Sequence, residues 1–301
     1  MAHPQIAAFA RLADGNAKTV RRIEGQKTLL GRTQHSIYYD EIHDEIVVAQ
    51  AFAGAVLTFR GGADGEEAPI RIIQGPKTGL ITNDVVTVDP VHNEYFVPKG
   101  PAGPAPSSGF LHVFDRMAQG DMAPIRILGG PAAGLGGNPA VDHEHNLLLI
   151  SGRGGLHIYE RTASGDAKPL RIITGGPKAG TTAPSGPVWI RGTRNFVATA
   201  RRFGVPSRAP GSPVNVQTAE EAQSLIGVWT VDDDGDVAPR YITATNFFIG
   251  VRTLAIDPKH KTVMASDKTA NNITTWDFHE AWETFAPWKA EPYVSRGRRE
   301  E

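Results

Sequence analysis

Short apolar runs recur along the chain, separated by Gly, Pro, Asn and Asp: Glu45 to Ala49, Val56 to Phe59 and Ile70 to Ile73 form one set, and Leu147 to Ile150, Leu156 to Tyr159 and Leu170 to Ile173 another. Runs this short, β-branched or aromatic and bounded by turn formers, read as strands rather than helices. They also keep a register. From Phe59 the chain reads aromatic, five residues, Gly65, three residues, Pro69, one residue, Arg71, one residue, Ile73. The same spacing returns from Phe9 through Gly15 and Arg21 to Ile23, from Phe114 through Gly120 and Arg126 to Leu128, and from Tyr159 through Gly165 and Arg171 to Ile173. From Trp229 it runs through Gly235 and Tyr241 to Thr243. A repeat with a period of roughly 50 residues signals a propeller, a solenoid or an array.

Each full copy divides into the same parts. Ser36 to Asp40, Glu45 to Ala49, Val56 to Phe59 and Ile70 to Ile73 are strand-like runs joined by tight turns, the make-up of one propeller blade. The pattern recurs from Val85, Pro139, Pro187 and Thr253, with insertions at Gly100 to Gly109 and at about Arg201 to Leu225, each between a second and a third strand. The last copy stops after its third strand, at Trp276, while the N-terminal Lys18 to Ile23 has the fourth-strand register. An open edge favours closure, so the expected fold is a single all-β propeller of four-stranded blades over residues 1–277, its last blade completed by the N-terminal strand or strands. Five first strands predict five blades. Six third-strand aromatics, with Phe9 and Trp276 both in the count, leave a six-bladed ring as the alternative.

Residues 278–301 leave the repeat: Phe278, Trp282 and Phe285 have helical spacing, and Ser295 to Glu301 reads as a disordered tail. The 301 residues suffice for a large core, and 33 glycines with 22 prolines suit many turns. A net charge of -1 provides no global attraction to nucleic acid or to anionic membrane. The absence of cysteine removes disulfides, thiolate metal sites and cysteine nucleophiles. No signal-peptide pattern and no long apolar run occurs, so the chain reads as soluble, in a compartment the sequence leaves open, export included if a leader was removed.

Ala123-Pro124-Ile125-Arg126-Ile127, the link Gly75-Pro76-Lys77-Thr78-Gly79-Leu80, and Val86-Thr87-Val88-Asp89-Pro90-Val91-His92-Asn93-Glu94 resemble bacterial NHL-type β-propeller repeats. The resemblance implies the fold. It does not choose an activity, because the wider superfamily holds protein- and RNA-binding modules as well as metal-dependent lactonases and phosphoesterases.

His43, His92, His145 and His260 each stand three residues after Asp40, Asp89, Asp142 and Asp257, in the turn between first and second strands. One per blade, they cannot converge on a single ion, and turn stabilisation is their expected role. Arg21, Arg71, Arg126 and Arg171 read as guards of outer edge strands or as inter-blade donors. Function is sought where the copies differ, at the strand starts and loops that open on one face. There the chain offers Gln34, His35, Asn83, Asp84, Lys99, Arg153, Arg201, Arg202 and Arg252, a cation-rich mouth on a nearly neutral protein. Two readings stay open. One is a non-catalytic binding module for an anionic small molecule, an acidic peptide or a glycan, without a cofactor. The other is a hydrolase of lactonase or phosphoesterase type, holding Ca²⁺ on Asn83, Asp84 and Asn138, a set poor in the oxygens that calcium requires.

Overall fold

The computed structural model describes residues 4–32, 34, 36–99, 109–130, 134–204, 224–243, 251–267 and 272–286. The protein is all-β, a five-bladed β-propeller of antiparallel blades. It divides into two compact units, Met1–Asn138 with Ala163–Ala167, and Pro139–Thr162 with Lys168–Glu301.

In the first unit, β1 (Gln5–Ala8) pairs with β2 (Arg21–Glu24), and two four-stranded blades follow. The first is β3 (Ile37–Asp40), β4 (Glu45–Gln50), β5 (Ala55–Arg60) and β6 (Arg71–Gln74). The second is β7 (Thr87–Asp89), β8 (Glu94–Lys99), β9 (Phe110–Asp115) and β10 (Arg126–Leu128). The N-terminal pair repeats the outer half of a blade: Ile6 faces Ile23 as Val56 faces Ile73. The described residues thus hold six strands of the third-strand type against five first strands, and β1 is the one that stands in a two-stranded sheet.

In the second unit, the third blade is β11 (Ala140–Asp142), β12 (Leu147–Gly152), β13 (Gly155–Glu160) and β14 (Arg171–Ile173). A small hairpin, β15 (Gly175–Gly176) and β16 (Thr181–Thr182), precedes the fourth blade, β17 (Ser185–Trp189), β18 (Asn195–Arg201), β19 (Ser224–Thr230) and β20 (Tyr241–Ile242). The fifth blade is described as three strands, β21 (Val251–Asp257), β22 (Thr262–Asp267) and β23 (Asn272–Asp277). The aromatic run that follows forms a short 3₁₀ turn, His279–Trp282, rather than an α-helix. Its Phe278, Ala281, Trp282 and Phe285 pack with Ile190, Val197, Val228 and Val263 of the fourth and fifth blades. The tail from 287 on lies outside the described residues.

Core residues lie in the seams between blades. Val47, Val56 and Ile73 of the first blade meet Val88, Tyr95 and Phe114 of the second, and Leu149, Ile158 and Ile173 of the third meet Phe196 and Trp229 of the fourth. The repeat aromatics Phe59, Phe114, Tyr159 and Trp229 are fully buried, whereas Phe9, beside the isolated pair, is half exposed.

The other repeated residues fasten successive blades. Ile23 bridges to Gly65, Ile73 to Gly120, Leu128 to Gly165 and Ile173 to Gly235, each a parallel bridge from one outer strand to the next copy's turn. Those four glycines have φ between 60° and 75°, a conformation glycine adopts without a Cβ penalty. The acid after the glycine reaches the preceding link: Asp121 accepts from Lys77 N (2.6 Å), Glu66 from Lys27 N (3.3 Å), and Asp236 from Lys178 N (3.1 Å) and Ala179 N (2.8 Å). Gly75 is required there for a second reason, since a Cβ would lie 2.4 Å from Asp121 Oδ1.

The four turn histidines are tied as their spacing implies. Each Nδ1 lies 2.6–2.8 Å from Oδ2 of its aspartate, and the other carboxylate oxygen accepts the backbone N–H of the histidine itself. The strand arginines differ from the expected edge guards. Arg71 is 9% exposed and bonded to Glu45; Arg126 forms a two-point pair with Glu94 at 2.5 and 2.7 Å. Two of the set are inter-blade donors as well: Arg21 serves the carbonyls of Gly61 and Ala63, and Arg71 donates to Tyr95 Oη of the second blade at 3.3 Å. These cations sit inside the sheet layers because the glutamates that open β4 and β8 are also buried and need a partner.

Candidate functional site

The sequence-derived candidates fall in both units. In the first, Asn83 precedes β7 and is fully buried: its Nδ2 donates to Ala55 O at 2.8 Å, and its Oδ1 is buried without a partner. Asp84 beside it is exposed. Gln34, ahead of β3, is half-buried, and its Nε2 is enclosed without a partner among the described residues. Lys99 ends β8, half-buried; burial lowers the pKa of nearby His112, against a hydrogen bond from that ring to Thr78 O, and the Lys99 charge adds to the lowering. Asn138 is half-buried before β11. His35 and most of the first insertion, 100–108, lie outside the described residues.

In the second unit, Arg153 is exposed on the turn between β12 and β13, and its carbonyl lies 3.0 Å from Nε2 of buried His157, whose Nδ1 meets Tyr159 Oη at 3.1 Å. That buried ring steadies the turn. Arg201 and Arg202 are exposed, and the insertion beyond them, 205–223, lies outside the described residues, as does the side chain of Arg252.

The backbone under Arg201 and Arg202 is held from two sides. Arg201 pairs with Ser224 of β19, and its N–H donates to Thr182 Oγ1 at 3.0 Å. Arg202 bridges Thr181, and the N–H of the following residue, half-exposed Phe203, donates to Gly180 O at 2.9 Å. The hairpin β15–β16 thus extends the grip on β18 past the end of its blade. Two exposed arginines and a half-exposed aromatic ring follow one another on a strand held at both edges. The sequence signalled the cations. It did not signal the hairpin that holds them, because Gly175-Gly176 and Thr181-Thr182 carry no strand-like apolar run.

The proposed calcium set is spread over different roles: Asn83 is committed to Ala55, Asp84 is at the surface, and Asn138 lies at another blade's start. Among the described residues there is no group of three or more His, Cys, Asp or Glu arranged to hold a metal ion, and no helix is long and apolar enough to cross a membrane.

No protein-family model matches the chain, and no curated protein matches it by sequence. Solved structures share its fold. Raptor of Chaetomium thermophilum aligns with a TM-score of 0.51 at 12% identity over 87% of this chain and 21% of that one. The WD40 domain of Toxoplasma gondii coronin aligns with a TM-score of 0.51 at 12% identity, over 84% and 56% respectively. Hydrazine synthase of Kuenenia stuttgartiensis aligns at 0.50 and 10% identity over 86% of each chain. The chain thus spans about a fifth of the Raptor chain and just over half of the coronin chain. At such identities the likeness is one of fold, a β-propeller, and not of activity.

Proposed function

We propose that this chain is a non-catalytic binding propeller that takes an anionic partner, foremost an acidic peptide segment, on the Arg201-Arg202-Phe203 ridge. The observation that carries this reading is the anchoring of the two exposed arginines between β19 and the β15–β16 hairpin. A cation on a fixed backbone loses less freedom on binding than one on a free loop, and guanidinium groups pair with carboxylates through two parallel hydrogen bonds. Phe203 adds apolar area at the edge of the charges, a composition common at protein contact sites. The resemblance of the repeat to NHL-type propellers and the likeness of the fold to a WD40 domain support an interaction role by analogy. The reading requires no metal ion.

Fluorescence anisotropy with a labelled oligoglutamate peptide tests it. Binding is expected to weaken with added salt, as exposed charges are screened, and to fall by about tenfold or more in Arg201→Glu/Arg202→Glu. The melting temperature should not change, because neither side chain holds the blade. Absence of binding, or binding indifferent to the charge reversal, sinks the proposal.

A further inference from the structure

Two of the chain's four methionines are exposed within one turn of the second blade, Met117 at 57% and Met122 at 49%. Methionine is ordinarily a core residue, so this placement calls for a reason. The repeat does not supply one. Three residues after the third-strand aromatic, the first, third and fourth blades have Gly62, Thr162 and Asp232 where the second has Met117. Two residues after the turn glycine they have Glu67, Ala167 and Val237 where it has Met122. Ile125, 56% exposed, follows in the same turn, and Val91, 48% exposed, stands on the adjoining turn of the blade. Arg116 ties the two turns together, its N donating to Asn93 O at 2.9 Å and its Nε to Asn93 Oδ1 at 2.8 Å. The methionine turn is also fixed to the first blade: Gly120 N donates to Ile72 O at 2.7 Å, and Gly120 O accepts from Gln74 N at 3.0 Å. An apolar patch on a fastened turn is a candidate contact surface.

We propose that this patch docks the apolar stripe of a basic amphipathic helix from another protein. Pairing of an extended segment along β10 is closed off, because the edge is taken: Ile127 O accepts from Gly165 N at 2.7 Å, and Gly129 N donates to Gly165 O at 2.8 Å. The partner therefore meets side chains. Unbranched thioethers adapt to the ridged surface of a helix, which is why methionine recurs where helices dock. Charge selects the flanks of that helix. Asp115 is exposed and Asp121 half-buried beside the methionines. Their carboxylates accept backbone N–H groups, from Met117 at 2.8 Å and from Lys77 at 2.6 Å, which leaves the negative charge in place. The neighbouring arginines are neutralised inside the blades, Arg116 by Glu45 and Arg126 by Glu94. A second copy of this chain is disfavoured as the occupant, since it would set these aspartates against their own equivalents.

Methyl NMR of the full chain labelled at methionine, titrated with a short leucine-lysine peptide of helical periodicity, tests the surface. The Met117 and Met122 signals are expected to shift together, with Met264 of the fifth blade unmoved as the reference. Affinity should fall about tenfold in Met117→Gln/Met122→Gln and about twofold in Asp115→Asn. Both methionines are exposed, so the double variant should keep its melting temperature and the test stays readable. Arg201→Glu/Arg202→Glu should leave the methionine shifts unchanged, which separates this surface from the one for an anionic partner. Unmoved methionine signals, equal binding of a peptide with the same residues in scrambled order, or unchanged affinity in the double variant would overturn the proposal. So would a dimer of the free chain whose formation alone shifts both signals.

Discussion

The first and fourth blades solve the same structural problem with different chemistry. At the first position of the second strand the first blade has Glu45, which accepts from Arg71 of its own blade and from Arg116 of the next, with Tyr95 Oη at 3.4 Å. The fourth blade has Asn195 there, and its amide donates to Ala281 O and Glu283 O, pinning the C-terminal turn. The fourth-strand arginine changes with it: Tyr241 stands in its register and donates to Glu283 Oε2. The third blade shows a half-step. Leu147 joins the apolar cluster, and Arg171, still present, is left with Asp232 at 3.7 Å. In a repeat, then, the buried acid and its arginine form one unit of design, and exchanging only one of them leaves a cation without a strong partner.

Glu94→Leu is the most severe way to break this pairing. It imitates the third blade but strands Arg126 in a buried layer, and should cost about 3–5 kcal/mol in denaturant unfolding. Glu94→Leu/Arg126→Met should recover most of that loss; a double variant as unstable as the single one would show that the pair is not the unit. Next in size are the blade-to-blade fastenings. Gly75→Ala meets both a positive φ and the Asp121 carboxylate, and should cost about 2–3 kcal/mol. Gly120→Ala meets the φ alone, in open space, and should cost about 1 kcal/mol. Equal melting temperatures for the two variants would contradict the account of the link.

Acid sharpens the comparison from another side. Burial pushes the Glu45 carboxyl up, but hydrogen bonds from Arg71 and Arg116, with their charges, outweigh it and leave the pKa below its ordinary value of 4.5. A carboxylate depressed in the folded state contributes stability that is fully present above its unfolded pKa and lost as pH falls through the folded one. Glu45→Gln should therefore show a shallower loss of stability than the parent below about pH 4.5. A parallel pair of acid-unfolding curves would remove Glu45 as a titrating support. The smallest effect is a gain. The residue after each turn histidine has φ near 55°: Asp44, Asn93 and Asn146 suit it, and Lys261 does not. Lys261→Asn should raise stability by about 0.5–1 kcal/mol, read as a higher melting temperature.

Much of this was legible in the amino-acid order because a repeat compares the chain with itself. The register from Phe59 to Ile73 located third and fourth strands, and the Asp40–His43 spacing located a turn whose hydrogen bonds are local and need no distant partner. The charges of Arg201 and Arg202 were legible too. Other assignments required neighbours far along the chain. Arg71 and Arg126 read as edge residues because their glutamates lie 26 and 32 positions away, and only the antiparallel ladders bring them together. The glycines of the repeat looked like turn formers alone, until the parallel bridges joined Gly65 to Ile23 and Gly120 to Ile73. Asn83 was a plausible metal ligand in one dimension and is a buried amide in three, half satisfied by a carbonyl of the preceding blade. Local turns and strand periods follow from short-range sterics and burial, which the sequence determines by itself. Which polar atoms find partners depends on how the sheets stack, and only the tertiary structure decided it.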